Sequence, residues 1–521
     1  MRGDRLRTTL IPLLFVFLLT FGIRLYWINQ KQGMNVDEGL SIAISSNNKY
    51  MLWNDNYEDG KTYSGKELKT ISLWGNPSFR KAIGDVYRLY LDNPDTPHTN
   101  FYYSCLRLWF AGRVVDDYRE IISSGTRLNL LFFTISFIAM FYLLRLLFEN
   151  TSVVLAGLLL CFLSTGSISN TLLLRPYQLQ EAALIVATYF CVLYRKKIVD
   201  GAVFNRWQDL TLLACVGAFT LLSGYFLLGY VALLGCLIML TLLIERKTRQ
   251  AGFFFAVGLF SIALAQMLYT NYLGGIIPNS RGQKALGVLL TFTETSTNLT
   301  HSMTVFRELV QSHVFYWPIA LCLAVAIAIQ FIPATNRMFA LRNKEDKADS
   351  WYVPLFLVVA ALAFSASVLY VAPFKVLRYI MPALPVMALL HALALHRLKK
   401  GPFLVVASVM VAISLVYALD PSHIENLSLR KPEIFAFTSR PEVPVLILNK
   451  SYWKYADMIP YLADAQRYEF PQSEQALNAR IAGLQHAFVV LERESYPRIA
   501  TDRRYAFRGP MNDFDLYEIL D

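Results

Sequence analysis

The stretch TTLIPLLFVFLLTFGIRLYWINQKQGMNVDEGL, Thr8–Leu40, passes from lipid-soluble to acidic within a few helical turns. From Thr8 to Ile28 it is almost wholly apolar, and about 20 such residues are what an α-helix needs to cross a bilayer core. Arg2, Arg5 and Arg7 precede it. A secretory signal would end in small residues, and Phe21, Ile23 and Arg24 offer no such cleavage site. The run therefore reads as an uncleaved first span with its basic end in the cytoplasm. Asp37 and Glu38 follow where the chain leaves the membrane, and Lys31 is the nearest basic residue.

The same signature recurs along the 521 residues, which are 55% hydrophobic, 14% aromatic and only 17% charged. Further spans are expected near 128–147, 152–171, 179–194, 208–222, 224–244, 251–271, 315–334, 352–371, 380–397 and 402–419, about eleven in all. Basic loops at Arg195–Lys197, Glu245–Arg249, Asn336–Lys347 and His396–Lys400 then fall on the side of the N-terminus, as the positive-inside rule requires. Those loops account for the net charge of +11. No basic-aromatic module accompanies it, so nucleic acid is not an expected partner. The six cysteines lie in apolar or aromatic stretches without a CxxC pair, which argues against disulfides and structural zinc. The fold class expected is an α-helical polytopic membrane protein with a small α/β domain outside the membrane.

This threading places residues 29–127, Leu273 to about His313, and everything after Asp420 on the outer side. In the first loop, Phe79, Ile83, Val86 and Tyr90 recur at helical spacing, predicting an amphipathic helix able to lie on the bilayer. FYYSCLRLWF, Phe101–Phe110, reads as a second interfacial helix, too short to span. After the last span, Pro444–Asn449, Phe488–Arg493 and Phe514–Leu520 read as strands. YWKYADMIPYLAD, from Tyr452, and SEQALNARIAGL, from Ser473, read as helices between them. The expected division is a membrane domain over 1–419 and a soluble α/β domain over 420–521. Asn298 and Asn426 head glycosylation tripeptides, which carry little weight alone.

Four segments carry chemistry. A carboxylate pair such as Asp37–Glu38 is ordinarily a helix cap or a solvated acid. Adjacent negative charges at a membrane exit repel unless cations or a metal meet them, which points to a site. DNPDTPHTNFYY, Asp92–Tyr103, offers Asp95 and His98 on a backbone stiffened by Pro94 and Pro97, with aromatics able to stack on a sugar. As an alternative it is a Pro-rich turn. LLLRPYQLQE, Leu172–Glu181, sets Arg175 between two apolar spans, either snorkelling to the interface or forking a phosphate. PFKVLRYIMPALP, Pro373–Pro385, places Lys375 and Arg378 on the outer face, where an anionic ligand or lipid headgroups would partner them.

With these segments in order, the sequence resembles the GT-C class of membrane glycosyltransferases, in the branch of protein O-mannosyltransferases and the lipid A aminoarabinose transferase. That branch has an early Asp-Glu pair, matched by Asp37 and Glu38. Its His-Pro-Pro-Leu-Tyr-Tyr-like stretch is matched at His98, Tyr102 and Tyr103, with Thr99 and Asn100 in place of the prolines. Its Arg-Pro-Tyr element is matched by Arg175, Pro176 and Tyr177, and its Arg-Tyr-x-x-Pro-x-x-Pro element by Arg378, Tyr379, Pro382 and Pro385. The resemblance runs over residues 8–398.

The resemblance implies an inverting transfer of a sugar from a polyprenyl-phosphate carrier to a lipid, glycan or protein acceptor on the outer face. Asp37 would be the base and Glu38 its helper. Asp95, His98 and Tyr102 would face the acceptor or sugar. Arg175, Tyr177, Lys375 and Arg378 would hold the donor phosphate. These cations neutralise a leaving phosphate without a cofactor, and a divalent metal is compatible with the acids but not indicated. A transporter or lipid flippase, or a lipid-linked glycan polymerase or ligase, are the alternative readings. Charges at span ends rather than at the bilayer midplane argue against transport.

Overall fold

The structure is a computed structural model. It describes residues 2–46, 58, 60–74, 78–93, 95, 98–115, 117–201, 207–276, 283, 287, 295–331, 352–372, 374–429, 434–448, 452–493, 504–511 and 514–520. The expected basic loop Asn336–Lys347, and Pro94 and Pro97, lie outside these. The chain forms two compact units. One comprises Met1–Trp27, Thr96–Thr99 and Asn129–Glu425, and the other Ile28–Asp95, Asn100–Leu128 and Asn426–Asp521.

The first unit is helical. Helices Leu10–Gln30, Tyr118–Leu147, Leu227–Ile244, Thr248–Leu268, Tyr352–Val371 and Lys400–Leu419 are each long and apolar enough to span a membrane. Two bent pairs bring the total to eight if each is one span. Thr151–Phe162 with Thr165–Leu172 bends by 56°, and Asn298–His313 with Trp317–Ala328 by 86°. Among the described residues, the expected eleven are therefore not confirmed. The segments near 179–194, 208–222 and 380–397 are helical, but Trp207–Ser223 and Met381–His396 are short. Helix Tyr177–Val199 carries Gln178, Gln180 and Glu181 in its opening turns, which dilute its apolar run. Leu10, Leu14, Phe15 and Leu18 are exposed on the first helix, and Ile11 is 75% exposed. Such a stripe is unfavourable in water and favourable in hydrocarbon. The chain is an integral membrane protein.

The second unit is built on a six-stranded sheet in the order β1-β3-β2-β4-β6-β5. Its strands are β1 (Thr62–Ser64), β2 (Val445–Leu448), β3 (Arg467–Glu469), β4 (Ala487–Glu492), β5 (Tyr505–Met511) and β6 (Phe514–Ile519). β2 pairs in parallel with β3 and β4, and the outer pairings are antiparallel. β2 and β4 are buried throughout, as parallel strands covered on both faces are. Leu446, Leu448, Val489 and Leu491 pack on Leu477 and Ile481 of helix Glu474–Ala482.

β1 comes from the long segment between the first two expected spans, and its Tyr63 lies opposite Tyr468 of β3. By contact, then, this segment groups with the C-terminal residues rather than with the spans, unlike the division drawn at 419. The expected helix from Tyr452 forms only short 3₁₀ turns, Tyr452–Tyr455 and Ile459–Tyr461, around Pro460. The first interfacial helix is present as Phe79–Leu91. Ala82, Asp85 and Leu89 are buried, while Phe79, Ile83, Tyr87 and Leu91 form an exposed stripe. Asp85 is held by Arg107 at 2.9 Å and by Lys81, a charge network on the buried face.

Glu518 on β6 makes the sheet acid-sensitive. Its carboxylate is 1% exposed and accepts from Arg440 at 2.7 Å, His486 at 2.6 Å and Arg508 Nε at 2.5 Å. Burial alone would raise its pKa, but these partners together hold it at about 2, against an ordinary 4.5. A depressed carboxylate stabilises the fold above the unfolded value and loses that contribution as the group protonates. That contribution should therefore be present above pH 4.5 and be lost as the pH falls from 4.5 toward 2. Denaturation across that window should show it, and Glu518→Gln should flatten the slope.

Candidate active site

The acid pair opens helix Val36–Ser45 in the sheet unit. Asn35 is its N-cap: the Asn35 side chain accepts from Glu38 N at 3.0 Å, and Glu38 Oε2 accepts from Asn35 N at 2.9 Å. This reciprocal capping box satisfies two donors that a helix start leaves open. Glu38 Oε1 accepts from Lys31 Nζ at 2.6 Å, and both side chains are buried. Lys31 also donates to Asn426 O at 3.0 Å, and Asn426 is in the left-handed region at φ 62°. Glu38 is thus a cap and an ion-pair partner. Asp37, one residue earlier, is half-buried in the same first turn, where the helix dipole favours a negative charge.

Gly39 shows how tightly this turn is backed. A Cβ there would lie 2.4 Å from Ala456 C and Asp457 N, so only glycine admits that backbone. Burial, with the Glu38 and Asp457 charges next, pushes the nearby Tyr461 phenol well above its ordinary range. In the same unit, Asp95 Oδ2 accepts from Tyr103 Oη at 2.5 Å, and Asn93 accepts from Asp95 N at 3.2 Å. Tyr102 and Tyr103 are fully buried in helix Phe101–Trp109, which packs on helices Val36–Ser45 and Phe79–Leu91.

The basic residues belong to the helical unit. Arg175, 4% exposed, follows the broken span at an elbow where its N–H donates to Leu173 O at 2.7 Å. Its Nη2 lies 3.2 and 3.3 Å from the two ring nitrogens of His98. His98, expected beside the acceptor, therefore sits on Arg175, and Thr99 anchors it by donating to Leu222 O at 2.5 Å. The Tyr177 and Tyr379 rings meet edge-to-face at 6.4 Å, joining the Arg-Pro-Tyr element to the later one. Arg378 lies over the Tyr379 ring at 5.6 Å. Lys375 donates to Tyr370 O and Ala372 O at 2.9 Å each, closing the end of helix Tyr352–Val371. Burial holds its ammonium below the usual lysine range.

The structure thus brings Arg175, His98, Tyr177, Tyr379 and Arg378 together in one unit, and Asp37 with Glu38, and Asp95 with Tyr103, in the other. Among the described residues no three His, Cys, Asp or Glu side chains are grouped to hold a metal. The roles of Lys31 and Asn35 escaped the sequence reading, although Asn35-x-x-Glu38 is itself a capping-box pattern.

By sequence, the chain matches no family model and no curated protein. By structure, it is similar to ArnT from Cupriavidus metallidurans in the apo state, with TM-score 0.54 and 10% identity over 99% of this chain and 98% of that one. The same enzyme bound to undecaprenyl phosphate gives TM-score 0.49 and 9% identity, over 97% of each chain. The archaeal oligosaccharyltransferase AglB from Archaeoglobus fulgidus, in complex with an inhibitory peptide and a dolichol-phosphate, gives 0.46 and 12%, over 92% of this chain and 69% of that one. The chain shares the fold of the apo ArnT structure.

Proposed function

We propose that the protein is an inverting membrane glycosyltransferase that moves a sugar from a polyprenyl-phosphate carrier to a lipid, glycan or protein acceptor on the outer side. The observation that carries this reading is the different fate of the two acids. Glu38 is committed to Lys31 and the helix cap, while Asp37 is half-buried in the same positively biased first turn. A carboxylate so placed can take a proton from an acceptor.

In the proposed reaction Asp37 removes the proton from an acceptor hydroxyl or amine as its oxygen or nitrogen bonds to the anomeric carbon. The bond from that carbon to the phosphate oxygen breaks on the opposite face, and the electron pair leaves with the carrier phosphate. Arg175, oriented by His98, and Arg378 are the assigned phosphate ligands, because guanidinium groups stabilise the growing charge directly. Lys375 supplies positive field beside them, and Tyr177 fixes Arg378 through Tyr379. Asp95 and the Tyr102–Tyr103 pair are assigned to shaping the acceptor side. The active site and the sheet unit face outward, with the N-terminus in the cytoplasm.

Mass spectrometry of surface lipids, glycans and proteins, with and without the protein, tests the reading. A missing hexose- or pentose-sized increment is the expected result and names both sugar and acceptor. Unchanged glycans with lost transport of a solute or lipid would favour a transporter. Arg175→Ala should raise the donor KM by about 10- to 100-fold, the loss of one charged hydrogen bond.

A further inference from the structure

We propose that Arg24, on the first membrane helix, is a positioning residue for Arg175, with buried Glu181 as its counter-charge. The proposal rests on the assignment of Arg175 to the carrier phosphate. Arg24 and Glu181 have no exposed surface. Arg24 Nε donates to Thr171 Oγ1 at 3.1 Å, Nη2 to Ser167 Oγ at 2.8 Å, and Nη1 to Thr20 O and Phe162 O at 3.0 Å each. The guanidinium also lies 3.9 Å from the Phe133 ring centre.

The bonds continue into a closed ring. Ser167 Oγ donates to Glu181 Oε2 at 3.2 Å, and Gln178 Nε2 donates to Glu181 Oε1 at 2.9 Å. Thr171 Oγ1 donates to Gln178 Oε1 at 2.8 Å, which leads back to Arg24. Asn129 adds donations to Thr171 O at 3.1 Å and Leu173 O at 2.7 Å.

The ring has a specific place in the chain. Thr171 lies in the last turn of helix Thr165–Leu172, and Gln178 in the first turn of helix Tyr177–Val199, so the ring ties the two sides of the elbow that carries Arg175. Charged side chains inside a membrane bundle are costly, and apolar residues would pack two helices equally well. What a planar, multiply bonded guanidinium adds is a single geometry. The elbow is held in that geometry from the first helix.

The test uses the full-length protein in lipid nanodiscs with farnesyl phosphate, a short polyprenyl monophosphate, as probe. Amide hydrogen exchange is followed in parallel without ligand. Arg24→Lys, and the near-isosteric Thr171→Val in case the first does not fold, should bind farnesyl phosphate about tenfold more weakly, the equivalent of one charged hydrogen bond. Exchange should accelerate at Leu172–Gln178 while Tyr352–Val371 and Lys400–Leu419 keep their protection. Wild-type affinity and elbow protection in both variants would overturn the proposal. So would equal loss of protection in all helices, which marks a purely structural role. Failure of the wild type to bind, or undiminished binding by Arg175→Ala, would instead remove the phosphate assignment, and exchange at the elbow would still judge the ring.

Discussion

Asp37→Asn at wild-type abundance is expected to lose sugar transfer by about 10²- to 10⁴-fold, the usual contribution of a positioned general base. The substitution is nearly isosteric and removes only the charge and the capacity to take a proton. Glu38 and Asn35, not Asp37, close the capping box. Losing a negative charge from the first helical turn costs about 0.3–1 kcal/mol. The loss should therefore appear in kcat, with donor KM little changed, since donor contacts are assigned to Arg175 and Arg378. Initial rates of transfer in membranes, with donor varied, separate the two parameters. A kcat within about tenfold of wild type would place the base elsewhere.

The helical half of the protein was legible because a membrane helix announces itself by length and hydropathy. Every expected span has a helix over it. The full count is not confirmed among the described residues because segments such as Tyr177–Val199 carry polar groups, and there Gln178 and Glu181 serve the buried ring. The central strands were legible as continuous apolar runs: Val445–Leu448, Ala487–Glu492 and Phe514–Ile519 lie inside the segments expected. β1, with three residues, and β3, with Arg467 at one end, were not, because short edge strands carry no periodic signal. Nothing local to Thr62–Ser64 tells that it pairs with residues some 400 positions later. The site followed the same division. Asp37, Arg175 and Arg378 stood out as charges at span ends. His98 on Arg175, Lys31 on Glu38 and Arg24 behind the elbow are tertiary pairings, set by packing rather than spacing.

Lys31→Met is expected to destabilise the sheet unit by about 3–5 kcal/mol, the cost of leaving one partner of a buried ion pair alone. The size follows from the surroundings of Glu38. Its carboxylate is 1% exposed, Lys31 and the Asn35 N–H are its donors, and Asp457 lies in the chain packed on Gly39. Removing Lys31 takes the cation from a buried ion pair whose carboxylate is 1% exposed. The double variant Lys31→Met with Glu38→Leu removes the stranded charge and should recover most of the loss. The remainder should be about 1 kcal/mol, since the reciprocal half of the capping box goes with Glu38. Thermal unfolding of the purified full-length protein in one detergent, across wild type, both singles and the double, gives the coupling directly. Additive single effects would show that the pair is not coupled. Strong coupling, together with transfer activity retained by the double variant below its melting transition, would assign Glu38 to architecture and leave the chemistry to Asp37.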